Sequence, residues 1–335
     1  MDNDFKNLYG TRFFLYCFSL FNDFIFRPQG VLNPCCDALI KSTKVKSDNM
    51  YHVINNHLLV KTRLNILNYD GSYLWKCPLN TTYYRPCLSS ALFQNYYKYK
   101  VNFDIFKKNK NAVVDINKVT HITADFSNYC NLRCYGCSHN ANIPLPRHNQ
   151  YTHMSVTMLK NIVSQFPSLV YINITNHGES LINPDFCKLI DICTKYKLCI
   201  RADQGFNLNH ITNEQIISII NSYFDNMYIS IDGASQEVYS IYKVGGNFDK
   251  VIENIKRINY FKNLYNNTRL NLIWRYILFD FNLHEVDKAS EIARDLGVKF
   301  IVKENTEKRF KFYDGTMYEE KEYKKINEIM SRYHF

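Results

Sequence analysis

Short β-rich runs alternate with amphipathic helical patterns from about Val119 onward, which is typical of parallel βαβ units. The pattern predicts six strands, at residues 119–125, 170–175, 198–202, 227–231, 270–279 and 298–302. Amphipathic helical patterns lie between the predicted strands. In one of them, apolar residues recur on one side of the helix, at Phe248, Val251, Ile252, Ile255 and Ile258. We therefore predict an α/β fold of six β/α units.

Helix-end signals support these boundaries. Thr212 and Gln215 have the spacing of a capping box, and Asn247 stands where the N-cap of the next helix belongs. Gly297 follows the last clear helical pattern and suits the left-handed position that ends a helix.

Parallel β/α units bind ligands at the carboxyl ends of their strands. Residues just past the first four predicted strands are therefore the first candidates for chemistry. They are the cysteine-rich run at 130–137, residues 176–180, residues 203–205, and Asp232 with Gly233.

The residues before and after the alternating pattern differ from it in composition. Residues 1–115 are rich in aromatic residues and Asn and lack βαβ alternation, so we predict a smaller, cysteine-containing N-terminal module. Residues 116–303 are the predicted β/α domain. The charged residues 304–335 predict a peripheral helix or a mobile tail.

Composition narrows the classes of partner. The 335 residues, 46% of them hydrophobic, can bury a substantial core. The net charge of +10 favours anionic partners, but it is spread along the chain without an RNA-binding signature, which disfavours nucleic acid. The apolar stretch at residues 11–26 contains Asp23 and is too short to span a membrane. We expect it to be buried core, no membrane partner, and a cytoplasmic location.

The cysteines predict a metal centre. Eleven cysteines, an odd number with three crowded into eight residues, favour metal binding in a reducing compartment. Cys130, Cys134 and Cys137 present soft thiolates that suit an iron–sulfur cluster or zinc. Structural zinc requires a fourth ligand, for which His139 is the nearest candidate. A cubane cluster held by three cysteines instead leaves one iron free for a chelating ligand.

The run Cys130-Asn131-Leu132-Arg133-Cys134-Tyr135-Gly136-Cys137 resembles the CxxxCxxC hallmark of the radical S-adenosylmethionine (SAM) superfamily. The resemblance implies a partial (β/α)6 TIM-like barrel and a [4Fe-4S] cluster whose free iron is chelated by SAM. It also implies a low-potential electron donor, such as flavodoxin or ferredoxin, and release of a 5′-deoxyadenosyl radical. The family usually has an aromatic residue immediately before the third cysteine. Here Gly136 takes that place after Tyr135, so the contact with the adenine is expected to differ.

A second run resembles the GGE motif of the same superfamily. It covers residues 176–181, with His177 in place of the first glycine. The resemblance implies that Gly178 and Glu179 bind the amino group of SAM.

Two later runs extend the similarity, which spans about residues 119–302. Ser230 and Asp232 resemble the fourth-strand motif that approaches the SAM ribose and carboxylate. Residues 242–246 resemble a YRxGG segment with Lys243 where Arg is usual. Lysine neutralises a carboxylate but cannot form the bidentate fork of arginine.

The remaining cysteines fall into two groups. Residues 24–36 predict a β-hairpin with Pro28 and Gly30 in its turn, and they resemble the auxiliary-cluster hairpin of SPASM/Twitch radical SAM enzymes, moved to the front of the chain. We hypothesise a second [4Fe-4S] cluster, with free buried thiols as the alternative; its candidate ligands are Cys17, one of Cys35 and Cys36, Cys77 and Cys87. Small buried hydrophobes are predicted at Cys187, Cys193 and Cys199.

The leading hypothesis is a SPASM/Twitch-type radical SAM enzyme that oxidises, epimerises or cross-links its substrate after hydrogen abstraction. The resemblance implies a peptide, a protein side chain or an aminosugar-like small molecule as substrate. Radical modification of RNA is an alternative that predicts salt-sensitive binding to tRNA. A non-catalytic zinc or iron–sulfur scaffold, with His139 as fourth ligand, is another, and it predicts no binding of SAM.

Overall fold

A computed structural model of the protein describes residues 24–33, 43–44, 49–67, 112–135, 137, 152–304 and 320–333. The strands of these residues are β1 (Ile25–Arg27), β2 (Val31–Asn33), β3 (Thr43–Lys44), β4 (His121–Ala124), β5 (Tyr171–Asn173), β6 (Cys199–Arg201), β7 (Asn226–Ser230), β8 (Asn271–Leu278) and β9 (Lys299–Glu304). The α-helices are α1 (Met50–Ile54), α2 (His57–Leu67), α3 (Val156–Ser164), α4 (Phe186–Lys195), α5 (Asn213–Asn221), α6 (Gln236–Tyr242), α7 (Phe248–Leu264), α8 (Val286–Asp295) and α9 (Glu320–Tyr333). Short 3-10 turns lie at Ile116–Lys118, Ser180–Ile182 and Asp280–Glu285.

The described residues divide into two compact units. The first takes its residues from Met1–Ala124 and Thr157–Tyr171, and the second from Asp125–Val156 and Ile172–Phe335. The three-part division predicted from the sequence stays a prediction.

The first unit contains the predicted hairpin. β1 pairs antiparallel with β2, and the turn between them includes Gly30 at φ +70°, whose N donates to the Arg27 carbonyl oxygen at 3.0 Å. On its other side β1 runs parallel to β4, with Ile25 beside Thr123. Phe24, Ile25 and Phe26 are buried, as predicted for the end of the apolar stretch.

The second unit carries the parallel strands in chain order. Ile174 N donates to Arg201 O at 2.9 Å, which links the end of β5 to β6, and an isolated parallel bridge joins Phe206 to Ile229 of β7. β7 pairs parallel with β8, and β8 pairs parallel with β9. The alternation of strands and helices predicted from periodicity is therefore confirmed.

The predicted limits of the last strand, residues 298–302, are wrong at both ends, since β9 covers Lys299–Glu304. Gly297 ends α8 at φ +64°, and Val298 N donates back to the Ala293 carbonyl oxygen at 2.9 Å, so Val298 belongs to the helix end. The strand continues to Glu304 because its pairing with β8 continues to Leu278. Local sequence signals do not contain this partner-dependent extension.

The helix α5 has the predicted capping box. Thr212 Oγ1 accepts from Gln215 N at 3.2 Å, and Gln215 Oε1 accepts from Thr212 N at 3.0 Å. The amide of Gln215 also donates to the Leu181 carbonyl oxygen at 2.6 Å, so this cap fastens α5 to the turn after β5.

Thr212→Ala is expected to lower the free energy of unfolding by about 1 kcal/mol, because the N3 amide loses its acceptor. Thr212→Ser keeps the hydroxyl and serves as the matched control. Urea denaturation of both variants measures the difference, and equal stability of the two would contradict the capping role.

The three cysteines predicted as small hydrophobes differ in burial. Cys193 is fully buried, whereas Cys187 and Cys199 are only partly covered, so the prediction is wrong for those two. Cys199 is the first residue of β6, and its Sγ lies 3.6 Å from Asp225 Oδ2.

The charged C-terminal residues form a helix over Glu320–Tyr333, one of the two predicted possibilities. Tyr333 Oη donates to Asp287 Oδ1 at 2.7 Å, and Arg332 pairs with the same carboxylate at 3.0 Å. Among the described residues, no helix is both long and apolar enough to cross a membrane.

Candidate cofactor site

The cysteine loop follows β4 in the chain and is fixed through its backbone. Arg133 N donates to Val244 O at 2.9 Å, and Tyr135 N donates to Tyr242 O at 2.9 Å. The loop therefore lies against the segment that follows α6, which is the YRxGG-like run of the sequence. Cys130, Cys134 and Cys137 are all partly exposed.

The surroundings of two of these thiols disfavour an uncompensated negative charge. Burial raises the pKa of Cys130 to about 12, and the Glu179 carboxylate adds to the rise. Burial also raises the pKa of Cys134, against the opposing effect of the Lys243 ammonium. Because cysteine binds metal as thiolate, a bound cationic centre would supply the missing compensation.

The donor set fits a cluster held by three cysteines. Among the described residues, no three Cys, His, Asp or Glu side chains converge closely enough to share a single metal ion. In an iron–sulfur cubane each cysteine binds a different iron, so its ligands need not converge on one point. His139, the predicted fourth ligand of a zinc site, lies outside the described residues.

Gly178 and Glu179 lie directly against the start of the cysteine loop. Gly178 has φ +75°, and a Cβ placed on it would stand 2.5 Å from Ser127 O and 2.6 Å from Tyr129 O. Glu179 N donates to Tyr129 O. Only glycine therefore allows the turn after β5 to approach this loop so closely.

Glu179 is a buried carboxylate held by backbone donors. Its side chain is 3% exposed and accepts from Asn207 N at 2.8 Å and from Leu181 N at 3.3 Å. Burial raises its pKa to about 7, although these two hydrogen bonds and Lys243 oppose the rise. A cationic ligand beside this carboxylate would favour its ionised form.

Gly178→Ala is expected to be more destabilising than Gly245→Ala. Both glycines have positive φ, but a Cβ on Gly245 meets nothing within 4 Å. Gly245→Ala therefore reports the backbone cost alone, about 1–2 kcal/mol. Gly178→Ala adds a collision with two backbone carbonyls, a further cost of about 1–3 kcal/mol. Thermal denaturation of both variants checks the order, and equal losses would contradict the close approach.

Asp232 and Lys243 form a buried ion pair. Asp232 is 0% exposed; its Oδ1 accepts from Ile277 N at 2.9 Å, and its Oδ2 lies 3.2 Å from Lys243 Nζ. Burial alone would lower the pKa of Lys243, but the nearby carboxylate of Asp232 raises it above its ordinary value. The ammonium of Lys243 is thus paired with the carboxylate of Asp232. The predicted contacts of both residues with SAM remain predictions.

The other predicted site residues are less deeply placed or lie outside the described part of the chain. Ser230 Oγ donates to Gln204 O at 3.2 Å and accepts from Arg275 at 2.9 Å, so it lies where the ends of β6 and β7 meet. Tyr135 is 50% exposed. The predicted residues outside the described part are Gly136, Cys17, Cys35, Cys36, Cys77 and Cys87.

The structure adds two asparagines that the sequence analysis missed. Asn207 Nδ2 donates to Asn131 Oδ1 at 2.8 Å and lies 3.8 Å from Cys130 Sγ. Asn209 Nδ2 donates to Tyr239 Oη at 2.8 Å. Both follow residues 203–205, the segment predicted at the end of β6, so extending that segment by four residues would have included them.

Together these features define a class: a parallel α/β protein with a three-cysteine loop and a buried carboxylate gathered beyond the ends of its strands. Residues 125–262 match the family model of the Radical SAM superfamily. This segment is a radical SAM domain, which confirms the superfamily predicted from the cysteine motif. The cofactors predicted for it, a [4Fe-4S] cluster and SAM, are those of that superfamily.

Part of the chain is similar in sequence to two mycofactocin maturases. Over 142 residues the chain is 26% identical to the mycofactocin maturase MftC of Mycolicibacterium smegmatis, a match that covers 41% of this chain and 34% of the relative. The chain thus spans about a third of the relative's length. A Mycobacterium tuberculosis MftC matches at 26% identity over 141 residues, again 41% of this chain and 34% of the relative.

Solved structures agree in fold. The structure of Streptococcus suis SuiB bound to S-adenosylmethionine matches with a TM-score of 0.51 at 12% identity, covering 92% of this chain and 68% of that one. SuiB bound to the precursor peptide SuiA matches with a TM-score of 0.50 at 14% identity, covering 92% and 67%. The predicted α/β fold class, with a partial barrel of parallel strands, is confirmed by this likeness.

Proposed function

We propose that the protein is a radical SAM enzyme in which Cys130, Cys134 and Cys137 hold a [4Fe-4S] cluster and SAM completes the coordination of the remaining iron. The observation that carries the proposal is the loop itself. It presents three partly exposed thiols within a radical SAM domain, beside the buried carboxylate of Glu179.

Each group of residues has a proposed task. When bound, the reduced cluster and SAM supply a 5′-deoxyadenosyl radical that removes a hydrogen atom from the substrate. Glu179 accepts hydrogen bonds from the SAM ammonium, and Gly178 allows the backbone to come close enough for that contact. The exposed ring of Tyr135 would contact the adenine of bound SAM. The Asp232–Lys243 pair fixes Lys243 in place. Its two chain neighbours, Tyr242 and Val244, accept the amides of the cysteine loop through their carbonyl oxygens, so the pair helps to position that loop.

We further propose a peptide substrate. MftC is named as a maturase of mycofactocin, and SuiB is seen with its precursor peptide SuiA. A small-molecule substrate is the alternative. A low-potential donor of the flavodoxin or ferredoxin type and a cytoplasmic location complete the proposal.

The direct test is anaerobic turnover. The full chain, reconstituted with iron and sulfide, is incubated with SAM and a strong reductant, and 5′-deoxyadenosine is quantified by mass spectrometry. Release above a control without reductant is expected. A reconstituted protein that binds iron and releases no 5′-deoxyadenosine would show a scaffold and not an enzyme.

The proposed auxiliary cluster has its own test. If the N-terminal cysteines hold a second cubane, iron analysis after reconstitution is expected to give about eight irons per chain. Replacing Cys77 and Cys87 together by Ala should reduce the value to about four and leave the first cluster in place. About four irons in the unaltered chain would rule out the second cluster.

A further inference from the structure

Two cations, Arg275 and Lys303, share one face of the sheet formed by β7, β8 and β9. Arg275 is paired with Ile301 and Ile277 with Lys303, and residues paired side by side in a sheet face the same way. Trp274 alternates with Arg275 and therefore faces the opposite way, where its ring packs against those of Phe248 and Phe300.

Arg275 is held in place by hydrogen bonds, and the nearby carboxylates of Asp232 and Asp203 favour its charged form. Its guanidinium donates to Ser230 Oγ at 2.9 Å, to Asp203 O at 2.8 Å, and to Gln204 O. These acceptors belong to the ends of β6 and β7, the same edge at which the cysteine loop lies. The Nε of Arg275 is buried and has no hydrogen-bond partner.

Lys303 is the least compensated cation of this face. It is partly buried, and it makes no hydrogen bond or ion pair with any of the described residues. Burial lowers its pKa, and repulsion from Arg275 lowers it further. The carboxylates of Asp232 and Asp203 partly offset the charge of Arg275, but no carboxylate of the described residues pairs with Lys303. The partly buried charge of Lys303 therefore raises the free energy of the unliganded site, and a bound anion would offset that cost.

We propose that Arg275 and Lys303 form a carboxylate-binding subsite for the substrate, so that the peptide modified by this protein carries an acidic residue or its terminal carboxylate near the reacting position. The inference rests on the proposed function and narrows its substrate class. Arg275 supplies a guanidinium fixed by Ser230 and two backbone carbonyls. Lys303 supplies a charge that is free to follow the ligand.

The test uses two pools of fluorescein-labelled short peptides and the reconstituted full chain without reductant. One pool has Glu or Asp at alternate positions, and the other has Gln or Asn at the same positions. Fluorescence anisotropy is expected to give a Kd about tenfold lower for the acidic pool, because an ionised partner strengthens each hydrogen bond. Lys303→Met should remove most of this preference, and Lys303→Glu should reverse it, so that the amide pool binds more tightly than the acidic pool.

Lys299→Met is the matched control. Lys299 lies on the same strand and, two positions before Ile301, on the same face, but at the amino end and exposed. Lys299→Met should leave the preference for the acidic pool unchanged. Loss of this preference in both Lys299→Met and Lys303→Met would show only a general effect of charge and would overturn the proposal.

SAM also carries a carboxylate, so SAM binding is measured separately by equilibrium dialysis. A weaker SAM affinity in Lys303→Met, with the peptide preference intact, would assign the subsite to SAM and overturn the substrate assignment. Equal binding of both pools to an unaltered chain that releases 5′-deoxyadenosine would overturn this inference alone. Absence of that release would instead count against the proposed function.

Discussion

Replacement of Cys134 by Ala is expected to abolish release of 5′-deoxyadenosine and to remove one cluster's iron from the reconstituted protein. Two cysteines cannot hold the cubane with one open iron that the proposed chemistry requires. The loop backbone is expected to stay in place, since its links run from Arg133 and Tyr135 and involve no thiol. Iron analysis and mass spectrometry of the reaction measure the two effects.

Cys187→Ala is the matched control, because Cys187 lies on α4, outside the cysteine loop, and is also partly exposed. It should keep both iron and activity. Unchanged 5′-deoxyadenosine release from the Cys134→Ala protein would remove the cysteine loop from the mechanism.

Lys243→Met is expected to lower the free energy of unfolding by about 3–5 kcal/mol, since it leaves the fully buried carboxylate of Asp232 without its partner. Asp232→Asn is expected to lower the free energy of unfolding in the same way, because it leaves the buried ammonium of Lys243 without its carboxylate. The double replacement by Asn and Met should cost less than the sum of the two single changes, because neither variant side chain is charged. Urea denaturation followed by circular dichroism gives all three values.

Lys188→Met provides the comparison with an exposed pair. Lys188 lies 2.7 Å from Asp185, but both side chains are well exposed, so solvent screens the pair and no measurable change is expected. Additive losses in the double variant of Asp232 and Lys243 would contradict the buried ion pair.

Much of the second unit was predictable because its signals are local. Alternation of apolar runs gave the order of strands and helices, and Thr212 with Gln215 and Gly297 marked helix ends that the structure contains. The rule that ligands bind beyond strand ends led to the cysteine loop and to Glu179. These features depend on residues only a few positions apart.

What the sequence did not reveal depends on contacts between distant residues. Asn254 sits on the apolar side of α7 and is buried because it donates to Leu208 O at 2.7 Å, whereas Ile252, predicted on the buried side, is only partly covered. The pairing of Asp232 with Lys243 and of Asn207 with the cysteine loop likewise follows from tertiary packing. No periodicity or spacing encodes such partners.

The proposed chemistry requires that three cysteines leave one iron of the cluster open to SAM. Electron–nuclear double resonance on the reduced protein, mixed with SAM carrying ¹⁵N in its amino group, tests it most directly. A ¹⁵N hyperfine coupling to the cluster is expected, and it should disappear when SAM is omitted. A cluster that shows no such coupling and has a protein ligand on every iron would contradict it.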